Sequence, residues 1–210
     1  MKNATKHADE LRSLMKRLLK EHRPEPKQPQ EALKALVRAA MSFDMPDAKA
    51  DEAMRLIDRE FVDLNELRVA TDLEIQELLG VRYPDIQRRV ATITGSLNKI
   101  FEREHTLSLD RLKTISKRDA RQFLRELPDI HPFVEAYVML YSFDGHAFPT
   151  DDEILAYLKE QEVVEADASL EDAQRFAEHH LKADECHDLF AAVRKVVSDE
   201  SGRSRKKSKA

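Results

Sequence analysis

The chain has 210 residues, 41% hydrophobic and 36% charged, enough to bury one substantial core, or two small ones, beneath a heavily solvated surface. Four Gly, eight Pro and no Trp suit helices with short connections rather than a β-sandwich; the lone cysteine, Cys186, excludes a disulfide framework, a Cys-only zinc site and a four-cysteine iron–sulfur cluster. The net charge of −5 divides unevenly, with +4 on residues 1–23, +5 on residues 203–210 and −14 between them, so the body repels polyanions while the ends attract them. The N-terminus has no apolar stretch of a secretory signal and no apolar run reaches bilayer length, which points to a cytoplasmic or other intracellular protein with no membrane partner.

Residues 1–23 form the first unit. Leu11, Leu14, Met15, Leu18 and Leu19 share one face, with Lys16, Arg17, Lys20 and Arg23 on the polar side, which predicts a basic amphipathic helix docked on the body. A contact face for DNA or a partner is the alternative. Pro24, Pro26 and Pro29 make residues 24–30 a stiff linker.

The body spans residues 31–197. Leu33, Leu36, Val37, Ala40 and Met41 mark a buried helix that breaks at Ser42-Phe-Asp-Met-Pro-Asp47, where Asp44 is expected to cap the helix opening at Asp47. Two short helices follow at 63–70 and 71–79, the second with a capping box at Thr71-Asp-Leu-Glu74 and a stop at Gly80. A longer helix over 83–104 turns Ile86, Val90, Ile93, Leu97, Ile100 and Phe101 inward, and its Gly95 allows close packing. Helices are predicted over 108–115 and, capped by Ser116, over 116–126. The next begins at Pro132 and runs to about Phe143; another follows a Thr150–Glu153 capping box. The last two cover 169–181 and 184–197, with Cys186 on an apolar stripe as a core thiol. His179, His180 and His187 match no zinc spacing, so no metal site is predicted. Residues 198–210 read as a basic disordered tail. No strand pattern competes, so the fold class is all-α.

Two stretches carry a further pattern. Leu127-Pro-Asp-Ile-His-Pro-Phe-Val-Glu135 reads as a tight hairpin between helices, and Thr150-Asp-Asp-Glu153 follows it as a sharply capped helix start. Together with Ala40-Met-Ser-Phe-Asp-Met-Pro-Asp47 and the helix order, they resemble the endonuclease III-like, or HhH-GPD, superfamily of helix-hairpin-helix DNA glycosylases, from about Glu31 to Val197. The resemblance implies a two-lobed helix-hairpin-helix fold. It sets the hairpin against Leu-Pro-Gly-Val-Gly-X-Lys-Thr-Ala and, without a gap, puts Asp151 at the catalytic aspartate and Phe133 at the lyase lysine. Ser42 and Asp47 are identical to the family's upstream segment. With a single cysteine, the resemblance implies a divergent member lacking the iron–sulfur cluster, and no cofactor is expected.

A glycosylase flips a nucleotide from the duplex and stabilises positive charge developing on the sugar. Asp151 could do so, or could only cap its own helix. Lyase chemistry needs an amine nucleophile, which Phe133 lacks. Asp129 and His131 replace the hairpin glycines, Pro132 removes one N–H, and Asp44 stands where the family's glutamine probes the vacated base space. His131 is read as an N-cap or turn residue. The candidate DNA contacts are Ile130 and His131 of the hairpin, Ser42 upstream, and Arg203, Arg205, Lys206 and Lys207 of the tail.

The expected function is a divergent DNA-repair-type protein without AP-lyase activity and weak or inactive as a glycosylase, acting as a binding module for nucleic acid or a protein partner. The alternative is a monofunctional DNA N-glycosylase in base excision repair that uses Asp151 and a water, with Phe133 and Tyr137 lining its base pocket. A third reading, a purely structural interaction protein, fits the acidic body.

Overall fold

The structure, a computed structural model, describes residues 4–80 and 82–207 for the backbone and 5–80 and 82–199 for side chains, and every regular element in them is a helix. Its elements are α1 (Ala4–His22), α2 (Ala32–Ser42), α3 (Asp47–Glu60), α4 (Leu64–Val69), α5 (Asp72–Leu79), α6 (Ile86–Glu104), a 3-10 turn (Asp110–Lys113), α7 (Lys117–Arg125), α8 (Pro132–Ser142), α9 (Asp152–Glu160), α10 (Leu170–His180) and α11 (Ala183–Lys207). Among the described residues there is no strand, and no helix is long and apolar enough to cross a membrane.

Many of the helix starts are where side-chain chemistry requires them. Thr71 and Glu74 form the expected capping box of α5, and Ser116 accepts the Asp119 N–H at the start of α7. A second capping box, Ser169 with Asp172, opens α10. Helix α6 begins three residues later than expected: Pro84 disfavours helical backbone at Tyr83, and Asp85 adopts a left-handed conformation with φ 52°. The expected helix over 108–115 contracts to the 3-10 turn. At the other end α11 does not stop at Val197. With no proline to end it, its backbone continues as helix through Lys207.

Helix α2 is the centre of the packing, lying against α8, α3 and α6. Around it, α3 to α6 form one group of helices and α9 to α11 another; α7 joins through α8, and α1 covers α11. Docking of α1 buries Leu11, Leu14 and Leu18 and leaves Lys16, Arg17 and Lys20 exposed. Cys186 is fully buried, and burial pushes its thiol up to about 12, which suits a core residue rather than a nucleophile. Phe101 corrects the inward face predicted for α6: it is 38% exposed, with the Arg68 guanidinium 4.2 Å from its ring centre.

Candidate active site

The hairpin between α7 and α8 keeps its turn while spending its donors internally. Ile130 N–H donates to the Leu127 carbonyl at 3.4 Å, and Asp129 sits in the left-handed region with φ 49°, where aspartate is better tolerated than most residues. The Thr92 hydroxyl donates to the Asp129 carbonyl, fastening the turn to α6. His131 is the N-cap of α8: its Nδ1 accepts the Phe133 N–H at 3.1 Å, and its ring stacks on Phe43 at 4.6 Å and 3°. Burial, and then the nearby Arg88 charge, hold the imidazole below its usual pKa, in the neutral form that can accept at Nδ1. Val134 and Glu135 N–H groups both turn to the His131 carbonyl. Pro132 has none. Few backbone donors are left to meet a phosphate.

Asp151 is fully buried and is the N-cap of α9. The cap was expected one residue earlier, at Thr150, whose hydroxyl instead donates to the Phe148 carbonyl. One Asp151 oxygen accepts the Ile154 N–H at 2.9 Å; the other accepts the Asp44 N–H at 2.9 Å and Arg194 Nη1 at 2.8 Å. Asp44 returns the contact. In a left-handed conformation of its own (φ 51°), it accepts the Asp152 and Glu153 N–H groups at 2.8 and 3.4 Å. Asp44 therefore caps α9, not α3 as expected; α3 starts behind Pro46 with no side-chain cap. Burial, with Asp151 second, raises the Asp44 pKa to about 6 against the opposing pull of those N–H donors.

Arg194 reaches into this network from α11. Besides Asp151, its guanidinium donates to the carbonyls of Ser42 and Met45 and lies 3.4 Å from Asp47. Its carbon centre is 5.6 Å from the Phe133 ring centre. Arg89 does the same from α6, donating to Ala40 and Phe43 carbonyls at 3.0 and 2.9 Å with its carbon centre 4.0 Å from the Phe43 ring centre. The two arginines thus bind carbonyls at and just past the end of α2, those of Ala40, Ser42, Phe43 and Met45. Phe133 is fully buried and packs on Tyr137 and Phe190. Tyr137, 4% exposed, has its hydroxyl held by Gln30 and Arg38.

The sequence-predicted residues therefore separate. Asp151, Phe133 and Ser42 come together in the interior, Ser42 with its hydroxyl on the Ala39 carbonyl. Ile130 and His131 stay partly exposed on the hairpin. The side chains of Arg203, Arg205, Lys206 and Lys207 lie outside the described residues. A cavity of about 290 Å³ beside the hairpin is lined by Ile130, Pro132, Arg121 and Glu135, but not by Asp151 or Phe133. Among the described residues no three His, Cys, Asp or Glu side chains converge as metal ligands. Sequence reasoning singled out neither Arg194 nor Arg89. Each was visible as a cation on a buried stripe, Arg194 between Phe190 and Val197 and Arg89 between Ile86 and Ile93.

The fold is that of the helix-hairpin-helix DNA glycosylases. The Clostridium acetobutylicum 8-oxoguanine glycosylase/lyase, solved with double-stranded DNA, superposes with a TM-score of 0.73 at 16% identity, covering 95% of this chain and 71% of that one. An endonuclease III–DNA covalent intermediate gives 0.71 at 11% identity, covering 89% and 84%. The H. pylori 3-methyladenine DNA glycosylase gives 0.69 at 12% identity, covering 93% and 98%. No family model and no curated protein sequence matches the chain.

Proposed function

We propose that this chain is a divergent helix-hairpin-helix glycosylase-fold protein that binds duplex DNA without excising bases and without cleaving abasic sites. The observation that carries this reading is the state of Asp151. A carboxylate that is to stabilise a sugar cation or orient a water needs an open face toward substrate. Asp151 has no exposed surface, and three donors occupy its two oxygens. Arg194 adds a fixed positive charge beside the position where cationic character would develop. Phe133 supplies no amine for a Schiff base.

DNA contact is supported by the fold and by the basic segments. Helices α1 and α11 pack together, so the exposed lysines and arginines of α1 belong to the same helix pair that carries Arg203, Arg205, Lys206 and Lys207. Fluorescence anisotropy with a labelled duplex tests this. Affinity is expected to fall steeply as salt rises, and deleting residues 199–210 is expected to reduce the slope of log K against log salt by several units. No binding even at low salt would favour a protein partner, the reading that the −14 of residues 24–202 supports. The monofunctional glycosylase rests on the in-register Asp151 and requires the Arg194 pair to open.

A further inference from the structure

We infer that the corner formed by α3, α4 and α5 is a docking surface for a basic amphipathic helix of a partner protein. The large exposed apolar side chains of the described chain gather there. Val62 is 93% exposed, Val69 66% and Leu73 65%, and the fourth, Phe101, lies under Arg68 of α4. Isolated exposed apolar residues are ordinary on a soluble protein; a group of them on one corner marks a contact site.

The corner also has shape. A groove of about 540 Å³ runs between the end of α3 and the α4–α5 pair, with Phe61, Val69, Ala70 and Leu78 as its apolar walls. Its remaining lining residues are Glu60, Glu66, Glu74 and Glu77, and no cationic side chain lines it. A second depression of about 570 Å³ begins at the same Phe61 and adds Val62 and Leu64. Two of the glutamates are fixed in place: Glu66 accepts the Val62 N–H at 2.6 Å, and Glu74 accepts the Thr71 N–H at 2.8 Å. Glu60 and Glu77 are exposed, and neither forms an ion pair with any described residue.

Four carboxylates around an apolar floor select the occupant. An acidic or neutral segment would leave the glutamates repelled or unanswered. A fully polar basic segment, such as the chain's own tail, would leave the floor uncovered. A helix with apolar residues at three- and four-residue spacing, flanked by Lys or Arg, satisfies both. The surface lies on the group of helices away from α1 and α11, and its occupation does not depend on any activity at Asp151.

The test uses the intact chain and a fluorescein-labelled leucine–lysine amphipathic helix, with a serine–lysine peptide of equal charge as control. The leucine–lysine helix is expected to bind and the serine–lysine peptide to bind roughly tenfold more weakly. Val69→Ser with Leu73→Ser, and separately Glu60→Gln with Glu77→Gln, are each expected to weaken binding by about tenfold while leaving the helical circular dichroism unchanged. Equal binding of both peptides, or no effect of either pair of substitutions, overturns the proposal. So does absence of binding. Sedimentation of the protein alone is expected to show no association that depends on Val69 and Leu73; a dimer dissolved by those substitutions would assign the surface to a second copy and overturn the partner helix.

Discussion

Asp151 and Arg194 are two charges taken out of water, and their pairing is tolerable only because every strong donor between them is used. Removing one partner strands the other. Arg194→Met is expected to lower unfolding free energy by about 3–5 kcal/mol in urea titrations, and Asp151→Asn by a comparable amount. The double substitution is expected to cost clearly less than the two single losses added, because it leaves no buried charge uncompensated. Asp44 makes a different prediction. Its folded pKa of about 6 lies above the ~3.9 of an unfolded aspartate, so the native state binds the proton more tightly. Its contribution to stability is therefore full at low pH and is lost as pH rises between those two values. Asp44→Asn keeps an acceptor for the Asp152 N–H but carries no charge. The variant is expected to gain on the parent across that window and to be more stable by on the order of 1 kcal/mol at neutral pH, after allowing for Asp44's partial exposure. Unfolding curves taken at several pH values check it.

Among the elements, Gly95 of α6 offers a test of how tightly the hairpin sits. A Cβ there would meet Pro128 Cβ at 3.5 Å, an ordinary contact, so the glycine is not needed for space. Gly95→Ala is expected to stabilise the protein by about 0.5–1 kcal/mol in thermal unfolding, through helix propensity and a less flexible unfolded chain. Gly145 is the opposite case, since a Cβ there would fall 2.8 Å from Met139 Cε and 3.0 Å from its carbonyl oxygen. The helices were legible in the sequence because their apolar stripes and caps are local signals, as at Thr71 and Ser116. The site was legible only in part. The hairpin could be read from Leu127-Pro128 and Pro132, and His131 as a cap or turn residue by its place before Pro132; Asp151 was singled out only through the family resemblance. What Asp44 caps could not be read, because its partners lie more than a hundred residues away on α9. Arg194 was missed for the same reason: its acceptors are Asp151 at the start of α9 and carbonyls at and past the end of α2, and only tertiary packing brings them to α11.

Over the whole molecule, charge and chemistry are laid out in separate regions. Basic side chains concentrate on α1 and in the sequence at the end of α11, whereas the acidic, apolar corner of α3 to α5 stands on the other group of helices. Asp151, at the start of α9, is closed off by Arg194 and Asp44, with Phe133 packed against the same guanidinium. Base excision measures that closure directly. Duplexes carrying uracil, 8-oxoguanine or 3-methyladenine are incubated with excess protein, heated in alkali and resolved by length. The prediction is no strand cleavage above that of the Asp151→Asn variant, on any of the three. Cleavage by the parent chain that Asp151→Asn abolishes, with the variant still folded, would contradict it.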